Sequence, residues 1–160
     1  MIKIIKPPEP LLIDPQRPSL FLAGSIAMGQ AEPWQAMVEH ALADLPITIF
    51  NPRRDQWDAS WVQSITNPAF RAQVEWELEA QERADLIIMY FAPQTQAPIT
   101  LLELGLFAHS QRLIVCCPDG FWRKGNVEVV CARYNIPLAS SLDMLIQHAR
   151  QRLGSWVAEG

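Results

Sequence analysis

Asp85-Leu-Ile-Ile-Met-Tyr-Phe-Ala-Pro93, followed after a short loop by Pro98-Ile-Thr-Leu-Leu-Glu-Leu-Gly-Leu-Phe-Ala-His-Ser110, decides the fold. The first segment is a nearly continuous apolar run closed by proline, the pattern of a strand covered on both faces in a parallel sheet. The second predicts a helix: Pro98 suits its first turn, and Leu101, Leu102 and Glu103 are good helix formers. Glu103 is the one formally charged residue in it, and Ile99, Leu106 and Phe107, one turn away on either side, are apolar. A carboxylate therefore stands where leucine would be the ordinary choice. Burying an ionised carboxylate without partners is costly, so Glu103 is either satisfied by an ion pair or kept for chemistry.

Upstream, Ser19-Leu-Phe-Leu-Ala-Gly24 reads as the first core strand, and Gly24-Ser25 as a turn where the backbone can approach a ligand. Neither a Gly-x-Gly-x-x-Gly nor a Walker lysine motif follows. Trp34, Met37, Val38, Ala41, Leu42 and Leu45 recur at helical spacing, so a helix is expected over 34–45. The strand Pro46–Phe50 then runs into Asn51-Pro-Arg-Arg-Asp-Gln-Trp-Asp58. Such a segment, after the carboxyl end of a strand, lies where open α/β sheets hold ligands. Arg53 and Arg54 can recognise an anion, Trp57 can stack, and Asn51 and Asp58 can hydrogen-bond; the alternative is a solvated loop whose arginines pair with acids.

Asn67-Pro68 opens a helix reaching about Arg83, with Phe70, Val74 and Leu78 as its buried stripe. Glu77 falls within about 20° of the meridian of Phe70, so a second carboxylate points toward the core side. Arg112–Cys117 is a fourth strand, closed by Pro118-Asp119-Gly120. Asn126 can cap a helix running to Tyr134, Asn135–Leu138 is a last strand, and Ser140-Ser-Leu-Asp143 opens a final helix.

The alternation of strand and helix predicts an α/β fold: a doubly wound five-stranded parallel sheet in the flavodoxin-like order 2-1-3-4-5, with helices on both faces. Residues 19–160 would form one domain. Residues 1–18, with five prolines, would form an extended arm carrying one short strand at most. In that order the ligand crevice opens at the carboxyl ends of the first and third strands. It gathers Gly24, Ser25, the Asn51–Asp58 segment, Pro93 and the start of the Glu103 helix, with Glu77 approaching from the helix before the third strand.

At 160 residues, 49% hydrophobic and 19% charged, the chain fits an ordinary globular enzyme or binding domain. No apolar run approaches the ~20 residues of a membrane span, and the N-terminus lacks the features of a signal peptide, so a cytoplasmic location is expected. The net charge of −4 disfavours a nucleic-acid polymer as partner and favours a small molecule. Cys116, Cys117 and Cys131 read as buried reduced thiols, since the adjacent pair points opposite ways on a strand. No metal motif is present; His40, His109 and His148 read as helix-surface residues.

Phe21-Leu-Ala-Gly-Ser-Ile26, Asn51-Pro-Arg-Arg54, Gln73-Val-Glu-Trp-Glu77, Ala84-Asp85-Leu-Ile-Ile and Leu101-Leu-Glu-Leu-Gly105 form an ordered set. Together they resemble the nucleoside 2-deoxyribosyltransferase family, in particular its nucleoside 2-deoxyribosyltransferase-like branch. The resemblance covers roughly residues 19–138 and implies glycosyl transfer at a deoxyribose C1′ without a cofactor. It implies Glu103 as nucleophile, Glu77 as the acid serving the base, and Asn126, supplied by a neighbouring subunit, as a contact to the sugar or the nucleophile. A homo-oligomer with shared active sites, acting on a nucleoside or nucleotide, follows from that contact. The family's first-strand tyrosine is replaced by Leu20-Phe21-Leu22, its aspartate six residues before the nucleophile by Ala97, and its helix aspartate by Glu77. Substrate identity, and transfer as against hydrolysis, are thereby left open. A non-catalytic nucleotide-sensing module is the alternative, as is a structural ion pair of Glu103 with Arg53 or Arg54.

Overall fold

The computed structural model describes residues 1–25, 33–54 and 60–160. Strands β1 (Lys3–Ile5), β2 (Ser19–Gly24), β3 (Thr48–Phe50), β4 (Leu86–Tyr90), β5 (Leu113–Cys116) and β6 (Leu138–Ala139) form one sheet. Its order is β1-β3-β2-β4-β5-β6, and every pairing is parallel. Helices α1 (Trp34–Ala41), α2 (Pro68–Arg83), α3 (Pro98–Phe107), α4 (Lys124–Arg133) and α5 (Leu142–Glu159) complete the described elements. The doubly wound α/β class and the order of the five expected strands are as the sequence predicts. The sheet has one strand more. Lys3-Ile-Ile in the N-terminal arm, a β-favouring apolar triplet, pairs with the otherwise open edge at β3.

Element ends differ from expectation for local reasons. Helix α1 stops at Ala41 rather than Leu45. From Leu42 the chain passes into tighter turns, with the Ala43 amide donating to the His40 carbonyl and the Leu45 amide to that of Leu42, and the ring of Pro46 disfavours helical geometry at Leu45 itself. The last strand is Leu138–Ala139 rather than Asn135–Leu138. Asn135 sits at a left-handed φ of 55°, and Pro137 has no N–H to give a ladder. Helix α4 begins at Lys124 with Arg123 at the cap position, so Asn126 lies inside its first turn and is not the cap. Asn67 and Ser141 do cap: Asn67 Oδ1 accepts from the amides of Ala69 and Phe70, and Ser141 Oγ from that of Met144.

Alternate residues of the central strands feed two cores. Phe21, Ala23, Ile87 and Met89 pack with Ala80, Leu104, Phe107, Val127 and Cys131 of α2, α3 and α4. Leu20, Leu22, Leu86 and Ile88 pack with Trp34, Val38, Leu42, Leu145, Ala149 and Leu153 on the α1 and α5 side. Cys116 and Cys117 fall into opposite cores, and all three cysteines are free and buried, as expected. At the base of the sheet Asp85 Oδ2 accepts from the Ser19 amide at 2.7 Å and the Ser19 hydroxyl at 2.8 Å, fixing β2 against β4. Among the described residues no helix is long and apolar enough to cross a membrane.

Candidate active site

Helices α2 and α3 share one face of the sheet, and what α2 buries there differs from the expected stripe. Phe70, Val74 and Leu78 are only half-buried; the buried residues are Gln73, Ala80 and Gln81. Small Ala80 and Ala84 lie in the core beneath the helix, and the polar side chains are tolerated because each finds partners. Gln73 Oε1 accepts from Arg54 Nε at 2.5 Å, and its Nε2 donates to the Pro52 carbonyl at 3.1 Å. Gln81 Nε2 donates to the Glu77 backbone carbonyl at 3.1 Å and makes a short hydrogen bond to Glu103 Oε2. Glu77 lies between the two glutamines, so Gln73, Glu77 and Gln81 form a polar line at i, i+4 and i+8.

Helix α3 is turned in an unexpected sense. Ile99, Leu102 and Leu106 are 62%, 59% and 56% exposed, whereas Glu103 is 8% exposed. At ~100° per residue, Glu103 lies about 40° from Ile99, at the rim of the buried arc that also holds Thr100, Leu104 and Phe107. The acid faces α2 while the neighbouring aliphatic side chains face solvent.

Burial, and then repulsion from Glu103, push the Glu77 carboxyl up to about 8, with hydrogen bonding from Gln73 and the charge of Arg54 pulling the other way. Burial pushes Glu103 up to about 7, opposed by its bond from Gln81. The positive end of α3 does not hold Glu103 ionised, because the residue lies beyond the first helical turn, where that field has faded. Nor does Glu103 pair with an arginine. Its partner is the Gln81 amide, and among the described residues no salt bridge joins it to Arg53 or Arg54. Arg54 instead lies 4.9 Å over the Trp61 ring and is held by Gln73, close enough to bias Glu77.

The turn after β2 is built into the frame. A Cβ at Gly24 would meet Trp34 Cζ2 at 2.5 Å and the Tyr90 carbonyl at 2.7 Å, so glycine is required there by packing. Ser25 Oγ accepts from the Ala92 amide at 3.0 Å and lies 2.8 Å from Thr95 Oγ1, tying the turn to the loop that enters α3. In that loop Gln94 and Ala97 adopt left-handed φ of 63° and 43°. Hydrogen bonds from Thr95 Oγ1 to the Ala92 carbonyl and from Trp122 Nε1 to that of Gln96 hold it in place. Asn51 is buried: its Nδ2 donates to Glu39 Oε1 at 2.7 Å, and its Oδ1 accepts from the Arg53 amide. The Arg53 side chain and Pro93 are exposed, as is Asn126, which no described hydrogen bond joins to Glu103 of its own chain. Trp57 and Asp58 lie outside the described residues.

The structure thus gathers Glu77, Glu103 and, through Gln73, Arg54. Sequence reasoning missed the two glutamines, although the polar line they make with Glu77 was present at helical spacing. The chemistry available is that of a buried and a half-buried carboxyl, both of raised proton affinity, a pairing suited to one acid and one nucleophile. Among the described residues no group of three metal-ligating side chains forms. An open depression of about 540 Å³ lined by Ile114, His148, Arg152 and Trp156 touches none of the candidate residues.

A family model described as "Nucleoside 2-deoxyribosyltransferase like" matches residues 17–121, a span that contains α2, α3 and both carboxylates. Among curated proteins none matches the chain. A solved structure, "Crystal structure of conserved protein from Enterococcus faecalis V583", superimposes with a TM-score of 0.62 at 15% identity. It covers 85% of this chain and 99% of that one, a likeness of fold alone.

Proposed function

The chain belongs to the nucleoside 2-deoxyribosyltransferase-like family, and from that premise we propose that it cleaves the N-glycosidic bond at C1′ of a (deoxy)nucleoside or nucleotide through a Glu103-linked glycosyl-enzyme. One observation carries the proposal: Glu77 and Glu103 come from adjacent helices to one site joined through Gln81, and burial raises the proton affinity of both. Glu103 carboxylate attacks C1′ as the C1′–N bond breaks, and the electron pair left on the base takes the proton of Glu77. In the second half, Glu77 carboxylate removes a proton from an incoming base or water, which attacks C1′ and releases Glu103. The first outcome is transfer, the second hydrolysis.

Arg54, stacked on Trp61 and bridged by Gln73, is a fixed cation beside this pair. It supports a substrate bearing a phosphate or a polarised base carbonyl. A second proposal, a non-catalytic nucleotide-binding module, draws support from Ser25 and Asn51, whose side-chain hydrogen bonds are satisfied internally. One experiment separates the two. The protein is incubated with a panel of deoxynucleosides, their 5′-monophosphates and free bases, and base release and exchange are followed chromatographically. Release or exchange with any substrate supports catalysis, and ligand binding without turnover across the panel supports the module.

We further propose that the protein is a homo-oligomer assembled through the exposed face of α3. Ile99, Leu102 and Leu106 form an aliphatic stripe on the solvent side of the helix, next to the rim at which Glu103 turns inward. Leu102→Lys is expected to lower the mass measured by light scattering to that of one 18.1 kDa chain. If Asn126 acts across the interface, turnover falls with it. An unchanged mass in Leu102→Lys would remove this face from the assembly.

A further inference from the structure

Resting on the glycosyl-transfer proposal above, we propose that Gln81 is a positioning residue that presents Glu103 as an aimed carboxylate. Gln81 is fully buried near the end of α2, and both hydrogens of its amide nitrogen are committed. One goes to the Glu77 carbonyl, a turn earlier in the same helix, and the other to Glu103 Oε2. The carbonyl of Glu77 determines which way the amide lies. Turned over, Gln81 Oε1 would face that carbonyl, an acceptor whatever the protonation state of Glu103, with no hydrogen between them. Gln81 therefore acts on Glu103 as a donor, and a donor favours the charged carboxylate over the neutral acid.

This orientation leaves Gln81 Oε1 buried with no hydrogen-bond partner among the described residues. A residue present to fill space would be methionine or leucine, which occupy a similar volume without stranding an oxygen. The backbone is held as firmly as the side chain: Arg112 Nη1 donates to the Gln81 carbonyl at 2.8 Å and also to that of Ala84. Strand β2 offers no substitute, because Leu20, Phe21 and Leu22 carry no side-chain donor. With Oε2 engaged by Gln81, the other oxygen of Glu103 is left to attack. Among the described residues the ionisable groups around the contact are Glu77 on α2, Arg54 acting on Glu77, and Arg112, which precedes β5 and reaches the end of α2; α3 contributes no other charged side chain.

The test is a carboxyl-carbon NMR titration of Glu103 in the intact substrate-free protein, comparing wild type with Gln81→Met and, as a second apolar replacement, Gln81→Leu. Thermal unfolding monitored in parallel verifies that each variant is folded. Loss of the donor is expected to raise the proton affinity of Glu103 about tenfold or more. The acid limb of the kcat profile should move toward alkaline pH by the same factor, while KM changes little. A titration that stays in place in a folded variant overturns the assignment, even if base is still released. A shifted titration with no base release by wild type keeps the Gln81 role and discards the glycosyl-transfer proposal on which it was built.

Discussion

Glu103→Ala is expected to lower the kcat for base release by about four to six powers of ten, the scale seen when a covalent nucleophile is removed from an enzyme. Chromatographic release assays measure the loss, and calorimetry with a deoxynucleoside should show binding retained. The retained binding matters because Glu103 sits beneath the rim of α3, 8% exposed, and meets the substrate at one atom. If Glu103→Ala and wild type release base at equal rates, Glu103 is not the nucleophile. The isosteric Glu103→Gln should match the alanine variant in turnover and differ in stability. The folded protein holds a proton on Glu103 up to about pH 7, against the 4.5 of a free carboxyl. Between those values the native state binds more protons than the unfolded chain. The contribution of this group to stability is therefore full below about pH 4.5 and declines as pH rises through 7. Glu103→Gln does not titrate, so at pH 8 it should be the more stable protein, by on the order of 2–3 kcal/mol in denaturant unfolding. A salt-bridged glutamate would give the opposite sign.

Glu77→Gln should cost about 10²- to 10⁴-fold in kcat for a poor leaving base, the usual contribution of a general acid. The loss should shrink for bases that depart readily without a proton. The pH profile carries the sharper signature. Glu103 must be ionised and Glu77 protonated, so turnover should follow a narrow bell between limbs near 7 and 8, which belong to the coupled pair. In Glu77→Gln the alkaline limb should disappear while the acid limb stays near 7, because Glu77 is neutral when Glu103 ionises and burial, opposed by the bond from Gln81, sets that limb. An alkaline limb that persists in Glu77→Gln would assign it to another group.

What could be foreseen follows from which physical signal each feature carries. Strands β2, β4 and β5 are runs of apolar residues buried on both faces, and strand-helix alternation leaves few orders for a parallel sheet. Glu103 stood out because a single charge interrupts an aliphatic helix. Gln81 did not, since an uncharged amide looks like any surface glutamine until its burial is seen. The stripe expected on α2 failed for a related reason. Hydrophobic periodicity finds the face with the most aliphatic carbon, but α2 turns Gln73, Glu77 and Gln81 inward with the small Ala80. Helix α3 makes the same point in reverse, with Ile99, Leu102 and Leu106 outside. Both helices depart from ordinary amphipathic patterning where they meet, which is at the candidate site.

The outermost strands have a consequence for how copies of the chain can join. Strand β1 has three residues and β6 two, so each open side of the sheet is a stub. A ladder that short exposes too few unpaired amides and carbonyls to recruit another backbone, so cross-β growth lacks a template at either border. Contact between folded molecules is left to side-chain surfaces, where a closed, countable assembly can form rather than an open-ended fibre.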